Sequence, residues 1–255
     1  DIVADDAAVS ISGIIGGDAS LESLDINKAS GSTGAITLAG IGDSDTDGVD
    51  GAATLIGNAN TTTITLGGTV YKTDDALTFA AGTSTSINGA NAAFTTTSDA
   101  LTFTGPVLLG ASAGTPTMTT AGGALSFSST LDGNSSGTQN LTISTAGGAV
   151  TFTGKVGNTQ ALGSLLVNNS GGSGAITFTE DIGGTNAGTT GTTTIGNTDT
   201  ASITFSNDVY KTGGATTYQA TSGANLDVNA ENTTFTTSDD AIAFLEADVT
   251  IASGT

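Results

Sequence analysis

Small and apolar residues alternate in short bursts along this chain, each burst followed by a corner that contains glycine. The clearest burst is Ala149-Val150-Thr151-Phe152, which runs through Thr153 into Gly154. Related bursts begin at Ala8, Ala35, Thr63, Ala76, Ala100, Ala124, Ala149, Ala175, Ser202, Ala215 and Ala241, and seven of the nine Phe occupy the fourth position of one. Residues i and i+2 of a strand share a face. Val150 and Phe152 are therefore predicted to point into a core, with Ala149 and Thr151 on the solvent side. The same reasoning turns Val156, Leu165 and Val167 inward.

Successive bursts start 24 to 28 residues apart, apart from two steps of 13, Thr63 to Ala76 and Ser202 to Ala215. A fixed period in this range marks a stacked repeat, in which one unit cannot bury its apolar face until a neighbour covers it. With one burst per coil, the spacing predicts an all-β, elongated β-solenoid of about ten coils. Phe103, Phe127, Phe152, Phe178 and Phe205 would then stand above one another as an internal ladder. Each such side chain contributes roughly 1.5 to 3 kcal/mol on burial.

A longer repeat overlies the short one. At a shift of about 140 residues, Gly13-Ile14-Ile15-Gly16 and Leu21-Glu22-Ser23-Leu24-Asp25-Ile26-Asn27 match Gly154-Lys155-Val156-Gly157 and Leu162-Gly163-Ser164-Leu165-Leu166-Val167-Asn168. Val70-Tyr71-Lys72-Thr73 matches Val209-Tyr210-Lys211-Thr212, and the two short steps fall at matching places. The expected organisation is one continuous solenoid over residues 1–255, built from nearly two copies of one block, approximately 8–148 and 149–255. No segment shows a sustained helical stripe with caps. The apolar pattern at both ends resembles that of the interior, so the chain reads as a window on a longer polypeptide or as a subunit whose ends are covered by neighbours.

Charge narrows the partners. The chain carries 24 Asp and Glu against four Lys, with no Arg and no His, a formal net charge of -20. Phosphate recognition needs a basic surface, so nucleic acid is excluded as an expected partner. A polybasic membrane patch is missing too, and no apolar run reaches the roughly 18 residues that cross a bilayer. There are no Cys, hence no disulfides and no thiolate chemistry.

Catalytic groupings are scarce. Without His, Cys or Arg the common nucleophile, base and phosphate-clamp pairings cannot be assembled. The adjacent carboxylates Asp74-Asp75, Glu180-Asp181 and Asp239-Asp240 read as solvated corners, so the chain is not expected to be an enzyme. One stretch does carry site chemistry, Asp43-Ser44-Asp45-Thr46-Asp47-Gly48-Val49-Asp50-Gly51. Asp at alternate positions followed by Gly brings carboxylates onto one tight loop, as a hard cation such as calcium favours. Asp43, Asp45 and Asp47, with Asp50, are the candidate ligands. Thr54 stands where an EF-hand loop beginning at Asp43 would need Glu, and the matching loop Gly183-Gly184-Thr185-Asn186-Ala187-Gly188 has no carboxylate. No cofactor is required on this reading, and calcium is the one candidate ion.

The phrase Val150-Thr151-Phe152-Thr153-Gly154-Lys155-Val156-Gly157, then Leu162-Gly163-Ser164-Leu165-Leu166-Val167-Asn168, then Gly174-Ala175-Ile176-Thr177-Phe178 resembles the repeats of large bacterial surface proteins of the filamentous-haemagglutinin and autotransporter-passenger kind. The resemblance covers nearly the whole chain. It implies a right-handed parallel β-helix, export to the cell surface, and a role in an adhesin or surface fibre. Its expected partners are copies of itself or flanking repeats end to end, and cell-surface glycans or other cells. A surface-layer or sheath subunit is the alternative, and a carbohydrate-binding or carbohydrate-processing β-helix is a third reading.

Overall fold

The computed structural model describes residues 1–134, 137–168 and 170–251. Among the described residues there are strands and no helix, and every strand pairing is parallel. The chain winds over three faces in a fixed order. The first face holds six strands from Val9–Ile11 to Leu131–Gly133. Single bridges from Leu131 through Val156 and Ile182 to Tyr210 carry it on to the paired strands Val209–Lys211 and Thr234–Thr236. Eight strands from Val70–Thr73 to Ile242–Leu245 make the second face, extended backwards by bridges from Tyr71 to Ile41 and Ile15. The third face has ten strands, from Asp25–Ile26 to Asp248–Ile251. One third-face strand per turn gives a parallel β-solenoid of about ten turns, roughly 45 Å long at about 4.8 Å per turn.

The two short steps in the sequence acquire a physical meaning here. A step of 24 to 28 residues crosses three faces and returns the burst to its own column. The step from Thr63 on the first face to Ala76 beside the third-face strand Leu77–Ala80 crosses only two. The step from Ser202 on the third face to Ala215 on the second does the same. The reading of every burst as one stacked ladder is therefore corrected. Bursts from Ala76 to Ser202 stack on the third face, those at Ala8, Ala35 and Thr63 on the first, and those at Ala215 and Ala241 on the second. Because one short step lies between matching positions, the second copy of the long repeat is turned by one face. Val9 sits on the first face and its counterpart Val150 on the third; Tyr71 sits on the second and Tyr210 on the first. The faces tolerate this exchange because each demands the same thing of a strand, apolar residues inward and small polar ones outward.

Inside, like positions stand in columns. On the third face the column runs Ile2, Ile26, Ile56, Phe79, Phe103, Phe127, Phe152, Phe178, Phe205, Val228 and Ile251. The expected ladder of five Phe is present and gains Phe79. Its rings lie parallel within 18°, with centroids 4.8 to 5.8 Å apart, so the coil rise itself sets an aromatic stacking distance. Val150, Phe152, Val156, Leu165 and Val167 are all buried, as the alternation required. Outside, Thr78, Thr102, Ser126, Thr151, Thr177 and Thr204 form the matching solvent-side row. β-branched residues suit such a half-exposed pleat.

The turn from the second to the third face has its own column. Thr73, Thr96, Thr120 and Thr145 are buried there, and each Oγ1 donates to a carbonyl two or three residues on: Asp75 at 2.7 Å, Asp99 at 2.5 Å, Gly123, and Gly148 at 2.5 Å. A hydroxyl inside an apolar stack is tolerated because it is bonded to the backbone of its own corner.

All three Tyr lie in the core. The Tyr71 hydroxyl donates to the Leu38 carbonyl at 3.0 Å and accepts the Gly68 N–H at 3.0 Å, while that of Tyr210 accepts the Asn207 N–H at 3.1 Å. Burial pushes the Tyr71 and Tyr210 phenols up to about 12 and raises that of Tyr218 as well. A folded-state value above the unfolded one, near 10, means that the native state holds these protons more tightly. Their contribution is complete below about pH 10 and is lost as pH rises through about 12. The expected result is that tyrosinate absorbance stays flat past pH 10 and then rises together with loss of the strand circular-dichroism signal. Titration of the phenols near pH 10 in a protein that remains folded would contradict their burial.

Candidate functional site

The acidic stretch forms the corner that leaves the second face after Ile41 and leads towards the third-face strand Thr54–Gly57. Its backbone is set by glycine and by Asp43. Gly42 takes φ +66° and donates its N–H to the Ile15 carbonyl at 2.8 Å. Asp43 Oδ1 accepts the N–H groups of Asp45 at 2.8 Å and Thr46 at 2.7 Å, an Asx-type turn. Those two amides hold the Asp43 carboxyl below its ordinary range, helped by the charge of Lys72.

The other candidate ligands take different directions. Asp47 Oδ1 lies 3.3 Å from Lys72 Nζ, an ion pair without hydrogen-bond geometry. Asp45 and Asp50 are exposed, and the Asp50 N–H is tied to the Leu21 carbonyl at 2.8 Å. Among the described residues no three acidic side chains come together in a way that could hold a metal ion. The matching corner in the second copy repeats the backbone without the carboxylates: Gly183 donates to Val156 O at 2.7 Å, as Gly42 does to Ile15 O, and Gly188 donates to Lys211 O at 2.8 Å, as Gly48 does to Lys72 O at 2.9 Å. Lys211 Nζ there donates to the Thr185 carbonyl at 2.7 Å. Glycine and backbone bonds alone thus build this loop. The expected result is that calcium raises the thermal midpoint no more than magnesium does at equal ionic strength, and equally in the parent and in a D45N/D50N variant. A calcium-specific rise lost in that variant would assign the loop as a calcium site.

The carboxylate pairs need one correction. Asp181 is not a solvated corner: it is 5% exposed. Its Oδ2 accepts a hydrogen bond from Lys155 Nζ at 2.7 Å and its Oδ1 accepts the Val209 N–H at 3.0 Å, which offsets the desolvation. That bond with Asp181 raises the Lys155 ammonium above its ordinary value, against a smaller opposing effect of burial. Neighbouring Glu180 accepts from Asn207 Nδ2 at 2.8 Å, and Asp75 Oδ2 accepts the Gly51 N–H at 2.9 Å. These carboxylates act as staples between coils.

One pair of structural residues escaped the sequence reading. Asn58 Nδ2 reaches the carbonyls of Asn27 at 2.6 Å and of Ala29 and Ser32 at 2.9 Å in the coil below. Asn197 Nδ2 does the same towards Asn168 and towards Gly172 at 3.0 Å. Both bind their own corner identically, with the backbone N–H of each donating to Oγ1 of Thr61 or Thr200 at 3.0 Å. The signal was the recurrence of Gly57-Asn58-Ala59-Asn60-Thr61 as Gly196-Asn197-Thr198-Asp199-Thr200. Set beside known protein families, curated proteins and solved structures, the chain matches none of them.

Proposed function

We propose that this chain is a rod segment of an extracellular bacterial surface fibre or adhesin, working mechanically and joining end to end. The observation that carries the reading is the unbroken third-face column from Ile2 to Ile251, which stays apolar at both ends. Ile2 and Val3 at one end and Phe244, Leu245, Val249 and Ile251 at the other are exposed, Ile251 to 71%. Between the ends the inter-coil hydrogen bonds of three faces run along the rod axis, so an axial pull is shared among many bonds in parallel. A net charge of -20 opposes side-by-side packing, which disfavours the surface-layer alternative in dilute salt.

Purified chain at molar salt, where charges are screened beyond about 3 Å, is expected to give filaments one rod wide in electron micrographs. Two-dimensional sheets would support the surface-layer reading instead. Single rods of roughly 45 Å at every concentration and salt would end the proposal.

A further inference from the structure

Resting on the end-to-end reading, we propose that successive copies of this chain join with each copy turned by one face, a third of a turn, about the rod axis. The last three strands lie on the first face (Thr234–Thr236), the second (Ile242–Leu245) and the third (Asp248–Ile251), and each is the outermost of its column. At the other end the outermost elements are Ile2 on the third face, Val9–Ile11 on the first and Ile15 on the second. The solenoid is a single winding, so every element sits one rise, about 4.8 Å, above the element three places earlier in the chain.

That rule fixes the joint. After a third-face strand the winding must continue on the first face, yet the incoming copy begins with a third-face element. Face-on-face docking seats Ile2 on Asp248–Ile251 but leaves the first and second faces one strand short, a gap of about 4.8 Å on each. Turning the incoming copy the other way, so that Ile2 meets Ile242–Leu245, still leaves one such gap. Only when Ile2 meets Thr234–Thr236, Val9–Ile11 meets Ile242–Leu245, and Ile15 meets Asp248–Ile251 do all three faces close at one rise. The chain itself shows that motifs survive such exchange, since Val9 and Tyr71 occupy different faces from their counterparts Val150 and Tyr210.

Chemistry fits the same joint. The open end exposes a groove of about 380 Å³ lined by Val228, Phe235, Phe244, Val249 and Ile251, where the core columns stop. Ile2, Val9 and Ile15 would continue those columns. Glu231, Glu246 and Asp248 at one end and Asp5, Asp6 and Asp18 at the other are exposed, so the joint forms only when salt screens them.

The absence of native Cys allows a direct test. Ser10 is the outward residue of Val9–Ile11 and Ala243 that of the inner pair Ile242 and Phe244. Turned by one face, they become neighbours across the joint, within disulfide reach. In molar salt under oxidising conditions, S10C/A243C is expected to give reducible covalent multimers, while S10C/T236C and S10C/T234C, which report face-on-face docking, stay monomeric. Cross-linking of a face-on-face pair, with none from S10C/A243C, would overturn the rotation and leave end-to-end joining intact. Filaments in micrographs with no cross-link from any pair would also overturn the rotation. Monomers throughout, by sedimentation and by gel, would remove the end-to-end reading and this joint with it.

Discussion

Replacing Phe152 with Ala is expected to remove about 3 to 5 kcal/mol of stability, read as a drop in denaturant midpoint. Phe152 is 1% exposed, and its ring is stacked on Phe127 at 5.2 Å and on Phe178 at 4.8 Å. Truncation deletes both ring contacts, each contributing about 0.5 to 1.5 kcal/mol beyond area burial, and leaves a hole that neighbouring coils cannot close, because their spacing is fixed by backbone hydrogen bonds. Thr151→Ala on the same strand is the control. Thr151 faces outward and half-buried, so its loss should stay below about 1 kcal/mol. Hydrogen exchange should show the damage of F152A centred on the coils of Phe127 and Phe178 and fading with distance, since each coil touches only its neighbours. Equal losses from the two variants would refute the strand register.

Gly148→Ala is expected to do as much harm by adding one methyl group as F152A does by removing a ring. A Cβ at position 148 would lie 1.9 Å from the Gly123 carbonyl oxygen in the coil below, and one at Gly174 would lie 1.8 Å from the Gly148 oxygen in its turn. Backbones at this corner approach more closely than any side chain permits. The coil cannot rise to make room without breaking the ladders on its neighbouring strands, so a loss of about 3 kcal/mol or more is expected. Gly147 provides the comparison, because a Cβ there meets only Ser173 Oγ at 3.6 Å, an ordinary contact. Gly147→Ala should be neutral or stabilising by a few tenths of a kcal/mol through the unfolded chain. Parallel melting curves of the two variants decide the matter: if G148A melts with G147A, the close approach is wrong.

The two periods in the sequence carried most of the architecture. Alternation at Ala149 to Phe152 gave the inward set, and the spacing gave the turn count, because both reflect geometry that repeats locally. What could not be read was the face on which each burst lands. Nothing in Ala8-Val9-Ser10-Ile11 distinguishes it from Ala149-Val150-Thr151-Phe152 as a strand, since the three faces impose the same demand. The intermediate strands that would have revealed the count, such as Val70–Thr73, start from different residues and do not resemble the burst. The acidic loop was legible as a loop but not in its contacts. Asp43 turned to its own backbone and Asp47 to Lys72, which lies 25 positions away in sequence. Asp181 was misjudged for a related reason: its partner Lys155 sits one coil below, where neighbours in space are 26 residues apart.

The exchange of faces between the two halves has a consequence for inheritance. In a message read in triplets, loss of one letter destroys everything downstream, because the three positions mean different things. Here the three phases are synonyms. A duplication or excision of one strand with its corner, roughly eight residues, advances all later coils by one face and still fills every apolar column. Such rods can therefore lengthen or shorten in thirds of a turn, and each event swings the loops beyond it to a new side of the rod without a single substitution in them. The step from Thr63 to Ala76 and the step from Ser202 to Ala215 have the form that such events would leave behind.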